Sequence, residues 1–297
     1  MGYESIFRPG LFDDQVVIVT GAGSGIGRCT AHELAALGAR VALVGRDQDK
    51  LDAVAAEIAE DLRSARGIGA DDRRTSAHAC DIRDEEAVRA TVAAVRAEHG
   101  RIDGLVNNAG GQFPAPLAAI SAKGWDAVVR TNLTGGFLMA RECYTQAMLG
   151  AHGGAIVNVI ADMWNGMPGM GHSGAARAGM LNLTETAALE WAPVRVNAVA
   201  PGWIASSGMD RYPPQMKELI KGLPRSVPAN RFGTESEVSA AIVYLLAPAA
   251  GFVSGACLRV DGAAPNAKRM WPVVGSGPNP PFDGFHRARA PKVLEEQ

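Results

Sequence analysis

The fold is decided by residues 16–27, which read VVIVTGAGSGIG. Val16–Thr20 is a short run of β-branched residues, which is typical of a buried strand in a parallel sheet. A glycine-rich turn follows directly, and a helical pattern with Cys29, Leu34 and Leu37 starts after the turn. A strand, a glycine turn and a helix in this order predict a dinucleotide-binding unit whose phosphates lie at the helix N-terminus.

Further short apolar runs alternate with longer helical patterns along the chain. The additional strands are predicted at Val41–Val44, Ala77–Cys80, Leu105–Asn107, Ile156–Ile160, Val194–Val199 and Cys257–Val260. Alanine-rich stretches such as Asp47–Arg63 and Glu85–Glu98 lie between them and read as helices. This alternation predicts the α/β class, as a doubly wound Rossmann fold with a seven-stranded parallel sheet in a single domain.

Three segments interrupt the pattern. Gly67–Thr75 is polar and predicts a surface loop. Pro201–Arg231 contains several prolines around a short helical stretch, Gln215–Lys221, and its length is typical of an active-site lid. From Ala263 onward the chain is rich in glycine and proline without periodicity. We therefore expect a domain over residues 12–264, and a C-terminal tail over residues 265–297 that either wraps the surface or is disordered.

Composition excludes several classes of function. The 297 residues include 29 basic and 31 acidic side chains, which disfavours a nucleic-acid-binding surface. No apolar run reaches the length of a transmembrane helix, and the first residues do not read as a secretory signal. The four cysteines show no metal-ligand spacing, so we expect no metal site and reduced, buried thiols. The cytoplasm is the expected location, with no membrane partner.

The first two strands predict the cofactor and its contacts. The glycine turn is expected to contact the dinucleotide through Gly21, Gly23, Ser24, Gly25 and Ile26. In an NAD site, a carboxylate near the end of the second strand holds the ribose 2′-hydroxyl. Here that strand ends Val44-Gly45-Arg46-Asp47, and Arg46 is suited to a 2′-phosphate. The sequence therefore predicts NADP(H), with a solvated Arg46 and an NAD-binding Asp47 as the alternative.

Several motifs in the correct order resemble the short-chain dehydrogenase/reductase family over residues 12–264. The glycine turn resembles its TGxxxGxG motif, Asn107–Gly110 its NNAG motif, Pro201-Gly202 its PG turn and Val260-Asp261-Gly262 its C-terminal VDG. Asn132 matches the family's helix asparagine. The resemblance implies a homotetramer or dimer. It also implies cofactor contacts at Asp81, Ile82, Asn108, Ala109, Gly110, Arg177, Pro201, Gly202 and Ile204.

The catalytic centre departs from the family pattern. Where the family places tyrosine and lysine in YxxxK, this chain has Ser173 and Arg177. The family's serine is expected near Ile160 or Ala161, and both residues are aliphatic. The usual proton relay for alcohol and ketone chemistry is therefore missing. The tyrosines of the chain are Tyr3, Tyr144, Tyr212 and Tyr244, and none occupies the expected position.

Two segments resemble a particular branch of the family. His172–Gly179 and Gly110–Phe113 are similar to the peroxisomal trans-2-enoyl-CoA reductases, and the 2,4-dienoyl-CoA reductases also place serine at the tyrosine position. This resemblance implies NADPH-dependent reduction of a 2-enoyl-CoA double bond. Citronellol/citronellal dehydrogenases look similar over the same stretch, so an alcohol or aldehyde dehydrogenase for an apolar substrate is the alternative. A cofactor-binding protein without catalysis is the third possibility.

Roles follow for the candidate catalytic residues. An enolate oxygen needs hydrogen-bond donors but no strong general acid. We expect Arg177 to hold the nicotinamide ribose and to place positive charge near the enolate, and Ser173 to donate to the thioester oxygen. Asn132 is expected to fix a water molecule beside that cation. Asp162 is a candidate proton donor or else a solvated loop carboxylate, and His172 is a weaker candidate. Met163, Trp164, Met167 and Met170 either line an apolar acyl pocket or pack as ordinary loop residues.

Overall fold

Seven parallel strands form one sheet in the computed structural model, which describes residues 2–66, 74–150, 153–266 and 279–294. The strands are β1 (Val16–Thr20), β2 (Arg40–Gly45), β3 (Thr75–Ala79), β4 (Gly104–Asn107), β5 (Ala155–Val159), β6 (Arg195–Pro201) and β7 (Cys257–Val260). They lie in the order β3-β2-β1-β4-β5-β6-β7, and every neighbouring pair is parallel. The predicted fold class is confirmed.

Helices cover both faces of the sheet. They are α1 (Gly25–Ala36), α2 (Gln48–Arg66), α3 (Glu85–His99), α4 (Ala122–Val129), α5 (Gly135–Cys143), α6 (Gly171–Glu190), α7 (Lys217–Gly222) and α8 (Glu235–Leu246). Val17 and Val19 pack in a cluster with α1, α2 and α8. Val16 and Ile18 pack in another with α3, α5 and α6. The strand is apolar on both faces because each face meets a helical layer.

The winding direction reverses between β1 and β4. The chain runs outward from β1 through β2 to β3, then crosses back to β4, which pairs with β1 through Val19 and Val106. In a doubly wound sheet such a reversal opens a crevice at the carboxyl ends of the two strands. The glycine turn and the segment 108–113 enter this crevice from its two sides, since they follow β1 and β4.

The structure describes the three interrupting segments in part. Residues 67–73 of the predicted polar loop lie outside the described residues, and Thr75 already belongs to β3. In the predicted lid, short 3-10 turns surround α7, which overlaps the expected helical stretch. Residues 267–278 and 295–297 of the predicted tail also lie outside the described part.

Residues 279–294 of the tail lie against α1 and α2. The Phe285 ring is 1% exposed and packs 4.9 Å from the His32 ring. Arg287 forms an ion pair with Asp61 at 2.7 Å, and the Gly284 carbonyl accepts the N–H of Glu4. This part of the tail therefore wraps the domain. None of the helices in the described ranges combines the length and apolar character needed to cross a bilayer.

Candidate active site

A groove of about 620 Å³ occupies the crevice at the carboxyl ends of β1, β2 and β4. Its walls come from the glycine turn, the end of β2, the segment after β3 and the segment after β4, while Ser206 and Gly208 of the lid also face it. The predicted cofactor residues that line it are Gly21, Gly23, Ser24, Gly25, Ile26, Arg46, Asp81, Ile82, Asn108, Ala109 and Gly110. Residues that are far apart in sequence thus share one surface.

The glycine turn has the geometry of a phosphate cradle. Gly21 has a φ of +67°, and a side chain there would lie 2.9 Å from the Asn108 amide nitrogen. Gly25, with a φ of +58°, begins α1. Ser24 caps this helix without a side-chain hydrogen bond, and the first turn carries no acidic residue. The first N–H groups of α1 therefore stay available to an anion.

Thr20 joins the glycine turn to the segment after β4. Its hydroxyl oxygen accepts the N–H groups of Asn108 and Ala109, both at 3.0 Å, and its hydrogen is donated to the Val106 carbonyl at 3.2 Å. The Asn108 amide also donates to the Thr20 carbonyl. Our sequence reasoning did not single out Thr20, although its place between strand and glycine turn is a usable signal. The two sides of the groove are held at a fixed spacing.

Charge at the far end of the groove favours an anion. Arg46 is exposed and forms no hydrogen bond or ion pair with any described residue. The Asp47 carboxylate accepts the Lys50 N–H and pairs with the Lys50 ammonium at 3.3 Å, and this partner lowers the pKa of Asp47. Arg83 holds the Asp81 carboxylate and lowers its pKa to about 2. Both carboxylates are occupied by cations, while the Arg46 guanidinium is available.

Asn132 lies in a π-helical turn, Arg130–Thr134, and is 2% exposed. Its side-chain oxygen accepts the Gly111 N–H, and its nitrogen donates to the Gly111 carbonyl, both at 2.9 Å. Both polar atoms of the Asn132 side chain therefore form hydrogen bonds with the segment after β4. In this structure the side chain holds Gly111, and its predicted role toward a water molecule stays a prediction.

Arg177 places a cation behind that segment. Its Nη1 donates to the Val159 carbonyl at 2.8 Å, and its Nη2 lies 3.4 Å from the Asn132 side-chain oxygen. Its Nε is buried without a partner, and no ion pair joins it to an acidic group in the described ranges. Burial lowers the pKa of Arg177 to about 10, so the group stays charged at neutral pH. A Cβ on Gly110 would lie closer than 3.0 Å to Nη2, so a side chain there would displace the guanidinium.

Ser173 is fully buried and belongs to a short hydrogen-bond chain. Its hydroxyl donates to the Gln112 side-chain oxygen at 2.6 Å. The Gln112 nitrogen donates in turn to the Tyr212 hydroxyl at 3.1 Å, and that hydroxyl lies 4.0 Å from the Met170 sulfur. Sequence reasoning missed Gln112 and Tyr212. Tyr212 comes from the lid, and no local sequence pattern predicts that its hydroxyl reaches Met170, the residue before α6.

His172 is also fully buried at the start of α6. Its Nδ1 accepts the Ser173 N–H at 2.9 Å, so the neutral ring carries its proton on Nε2. That Nε2 has no partner. The ring meets the Phe113 ring edge-on at 4.5 Å, and Phe113 lines the groove. His172 therefore packs behind the groove wall.

Asp162 follows β5 and faces the β7 side of the site. Burial and the neighbouring Asp261 raise the pKa of Asp162, and Arg259 opposes that shift. Its backbone N–H donates to the Pro201 carbonyl at 3.1 Å. No hydrogen bond joins its carboxylate to Ser173 in the described structure. Ile160, two residues earlier, is buried, and its N–H donates to the Val199 carbonyl.

The remaining predicted cofactor residues, Pro201, Gly202 and Ile204, do not line the groove. Gly202 donates its N–H to the Val260 carbonyl, and Pro201 ends β6. Ile204 lines a separate cavity of about 290 Å³. Among the apolar candidates, Met163 and Trp164 pack on a small core cluster, while Met170 approaches the Tyr212 hydroxyl. Only part of the methionine-rich segment is therefore close to the hydrogen-bond chain.

The groove, the cradle and the chain of motifs define a nicotinamide-dependent oxidoreductase. A family model described as Enoyl-(Acyl carrier protein) reductase matches residues 21–263. The chain belongs to the short-chain dehydrogenase/reductase family, whose members bind NAD(P). The predictions of family and of enzymatic activity are confirmed.

The chain is similar to relatives whose named activities differ. A probable 2,4-dienoyl-CoA reductase of Bacillus subtilis is 31% identical, over 84% of this chain and 96% of the relative. The peroxisomal 2,4-dienoyl-CoA reductase of Rattus norvegicus is 35% identical, over 88% and 87%. The solved structure of a citronellol catabolism dehydrogenase, AtuB, of Pseudomonas aeruginosa PAO1 is 59% identical, with a TM-score of 0.76, over 89% of this chain and 100% of that one.

Proposed function

We propose that this protein uses NADPH to reduce the carbon–carbon double bond of a 2-enoyl-CoA thioester. The observation that carries the proposal is the content of the catalytic positions. Serine and arginine stand at the tyrosine and lysine positions, and Ile160 is buried where a serine hydroxyl is usual. The site thus has a half-buried cation without an acidic partner among the described residues, together with hydrogen-bond donors, but it lacks the standard proton relay.

The described residues fit a nicotinamide dinucleotide. The cradle at Gly21 and Gly25 suits the pyrophosphate, and the uncapped N–H groups of α1 point to the same place. The bound cofactor would supply a hydride to the β-carbon of the substrate. Arg46 supports the NADP form, since its guanidinium is available for a 2′-phosphate while the Asp47 carboxylate is occupied by Lys50.

The charge distribution suits an enolate better than an alkoxide. Hydride addition to an enoyl thioester leaves negative charge on the thioester oxygen, which needs donors or a nearby cation. Arg177 provides a positive charge with no acidic partner among the residues described. The α-carbon then takes a proton from water, so a side-chain acid of matched pKa is not required. The names of the two 2,4-dienoyl-CoA reductases support this reaction class.

A second candidate function has its own support. The 59% identity to the citronellol catabolism dehydrogenase favours an alcohol or aldehyde dehydrogenase that acts on an apolar, branched chain. The missing tyrosine and serine argue against this chemistry, because an alkoxide needs a proton donor of matched pKa. The two candidates share the cofactor and an apolar substrate, and they differ in the bond that is reduced.

The test is a comparison of substrates under one cofactor. Purified protein with NADPH is mixed with a medium-chain trans-2-enoyl-CoA or with citronellal, and with NADP and citronellol in a third reaction, while the reduced nicotinamide absorbance is followed. We expect oxidation of NADPH with the enoyl-CoA alone. Gly21→Ala is the control, because its side chain would lie 2.9 Å from the Asn108 amide and block the cradle.

Each other outcome has a defined meaning. Turnover with citronellal or citronellol alone would contradict the first candidate and support the second. Tight NADPH binding without turnover of any substrate would favour a cofactor-binding protein without catalysis. Activity that persists in a Gly21→Ala protein that no longer binds NADPH would show that a contaminating reductase produces the signal.

A further inference from the structure

We propose that Tyr212 of the lid donates its hydroxyl hydrogen to the carbonyl oxygen of the substrate. The family's tyrosine position is occupied by Ser173, so this donor would come from a different part of the chain. The inference rests on the proposed function, and it names the residue that stabilises the enolate.

The direction of the hydrogen bonds carries the argument. Ser173 is fully buried and its hydroxyl hydrogen is donated to the Gln112 oxygen at 2.6 Å. A side-chain amide has one acceptor oxygen and one donor nitrogen, so Gln112 accepts a hydrogen bond at one atom and donates at the other. Its nitrogen donates to the Tyr212 oxygen at 3.1 Å. Tyr212 thereby receives a hydrogen bond, and its own hydrogen remains available.

The present partner of that hydrogen is weak. The Tyr212 hydroxyl points to the Met170 thioether sulfur at 4.0 Å. Thioether sulfur is a poor acceptor, and a carbonyl or enolate oxygen is a much better one. Replacing the sulfur by a substrate oxygen therefore costs little and gains a strong hydrogen bond. The bond received from Gln112 stabilises negative charge that shifts onto the phenol oxygen.

The location of Gln112 places this donor beside the cofactor groove. Gln112 and Phe113 line the groove after β4, at the opposite end from Arg46 and Asp81 in the sheet order. Gln112 is exposed there, so a ligand in the groove can reach the chain. Asn132 fixes the preceding residue through two backbone hydrogen bonds. Tyr212 is thus held at the substrate end of the groove by a fixed neighbour.

The other candidate donors are less suited. The Ser173 hydrogen is committed to Gln112, and the Ser173 side chain is fully buried. His172 has a free Nε2, but its ring lies behind Phe113 and is also fully buried. Asp162 faces Arg259 and Asp261 on the β7 side. Tyr212 is only partly buried, its hydrogen has only the weak Met170 sulfur as partner, and its neighbour Gln112 lines the groove.

The step balances without a proton from the protein. A hydride adds to the β-carbon with its electron pair, and the π electrons of the double bond move to form the enolate. The enolate oxygen accepts the Tyr212 hydrogen bond, and Tyr212 keeps its own proton. The α-carbon then takes a proton from water as the carbonyl re-forms, which gives the saturated thioester.

The test compares Tyr212→Phe with Tyr244→Phe, a matched control on α8 whose ring is 37% exposed. Binding is measured by calorimetry in the presence of NADP with two probes, hexanoyl-CoA and its thioether analogue, which lacks the carbonyl oxygen. We expect Tyr212→Phe to weaken hexanoyl-CoA binding roughly 3- to 10-fold, the value of one hydrogen bond, and to leave thioether binding unchanged. The kcat for enoyl-CoA reduction should fall about 100-fold, as for other oxyanion donors.

The outcomes separate this inference from the proposed function. Wild-type protein that binds hexanoyl-CoA, together with Tyr212→Phe that binds it equally well and keeps its kcat, overturns the assignment of Tyr212 alone. Wild-type protein that binds neither probe overturns both proposals. An equal loss for the thioester and the thioether shows a packing role, and also overturns the hydrogen-bond assignment. The melting temperature of Tyr212→Phe should match that of Tyr244→Phe, because each variant keeps its ring.

Discussion

Two adjacent glycines, Gly110 and Gly111, offer a matched test of how closely the Arg177 cation is confined. A Cβ on Gly110 would lie closer than 3.0 Å to the Arg177 Nη2 and 3.0 Å from the Asn132 side-chain oxygen. A Cβ on Gly111 would meet nothing within 4 Å. Both substitutions to alanine change the unfolded chain in the same way, so the difference between them isolates the contact.

The size of the effect follows from what Arg177 must give up. The added methyl group at position 110 would clash with the guanidinium. The guanidinium would move away, because it is the end of a long side chain. Movement breaks its 2.8 Å bond to the Val159 carbonyl. A hydrogen bond to a charged group is worth about 1.5–3 kcal/mol. For domains of about 150–250 residues, each kcal/mol shifts the melting temperature by about 2–4 °C, so Gly110→Ala should melt roughly 3–12 °C below Gly111→Ala.

The assay pairs thermal unfolding with a fluorescence titration of NADPH. Because Arg177 lies directly behind the groove wall at Gly110, displacing it should also weaken NADPH binding about tenfold. Gly111→Ala should bind NADPH as the wild type does. If the two variants melt together and bind NADPH equally, Arg177 has room to move, and its role as a confined cation at the site is refuted.

Three further predictions concern the cofactor, the pH dependence and the tail. Arg46→Ala should weaken NADPH binding about 10- to 100-fold and leave NADH binding nearly unchanged. The control is Arg89→Ala, which removes a surface arginine that is paired with Glu86. Equal losses for both cofactors would contradict the assignment of Arg46. Burial raises the pKa of Glu235 from 4.5 to about 7 in the folded protein. As pH rises from 4.5 to about 7, the carboxyl therefore loses its proton in the unfolded chain while it stays protonated in the folded protein. The free energy of unfolding should fall by about 3 kcal/mol over this pH range. Glu235→Gln should lack that contribution when urea unfolding at pH 5 and pH 8 is compared. Phe285→Ala should cost about 3–5 kcal/mol in urea unfolding, whereas Phe252→Ala, at a fully exposed ring, should cost under about 0.5 kcal/mol.

The sheet and the groove could be predicted because their signals are local. Val16–Thr20 and the glycine turn lie within one stretch of sequence, and the apolar runs of β1, β4 and β5 are buried as their composition predicts. The carboxyl ends of parallel strands meet at one edge of the sheet, so motifs after β1, β2 and β4 had to share a surface. The structure places those motif residues along one groove.

The hydrogen-bond chain and the tail could not be predicted in this way. Gln112 lies 61 residues from Ser173 and 100 residues from Tyr212, and no periodicity links them. The residue Phe285 lies in a stretch without a repeating pattern, yet its ring is buried against α1. The environment of Asp162 depends on charges from β7, which its own loop does not reveal. Each of these features depends on tertiary contacts between segments that are distant in sequence.

Main-chain partners explain how the catalytic positions can differ while the cofactor groove is kept. Thr20 binds the backbone N–H groups that follow β4, Asn132 binds both backbone groups of Gly111, and Arg177 binds the Val159 carbonyl. None of these bonds depends on the side chain at position 173. Substitutions at 112, 173 and 212 can therefore change the reaction while the groove geometry persists, which is how one fold serves many chemistries. It follows that Tyr212→Phe should leave the affinity for NADPH unchanged, so a loss of NADPH binding in that variant would argue against this separation.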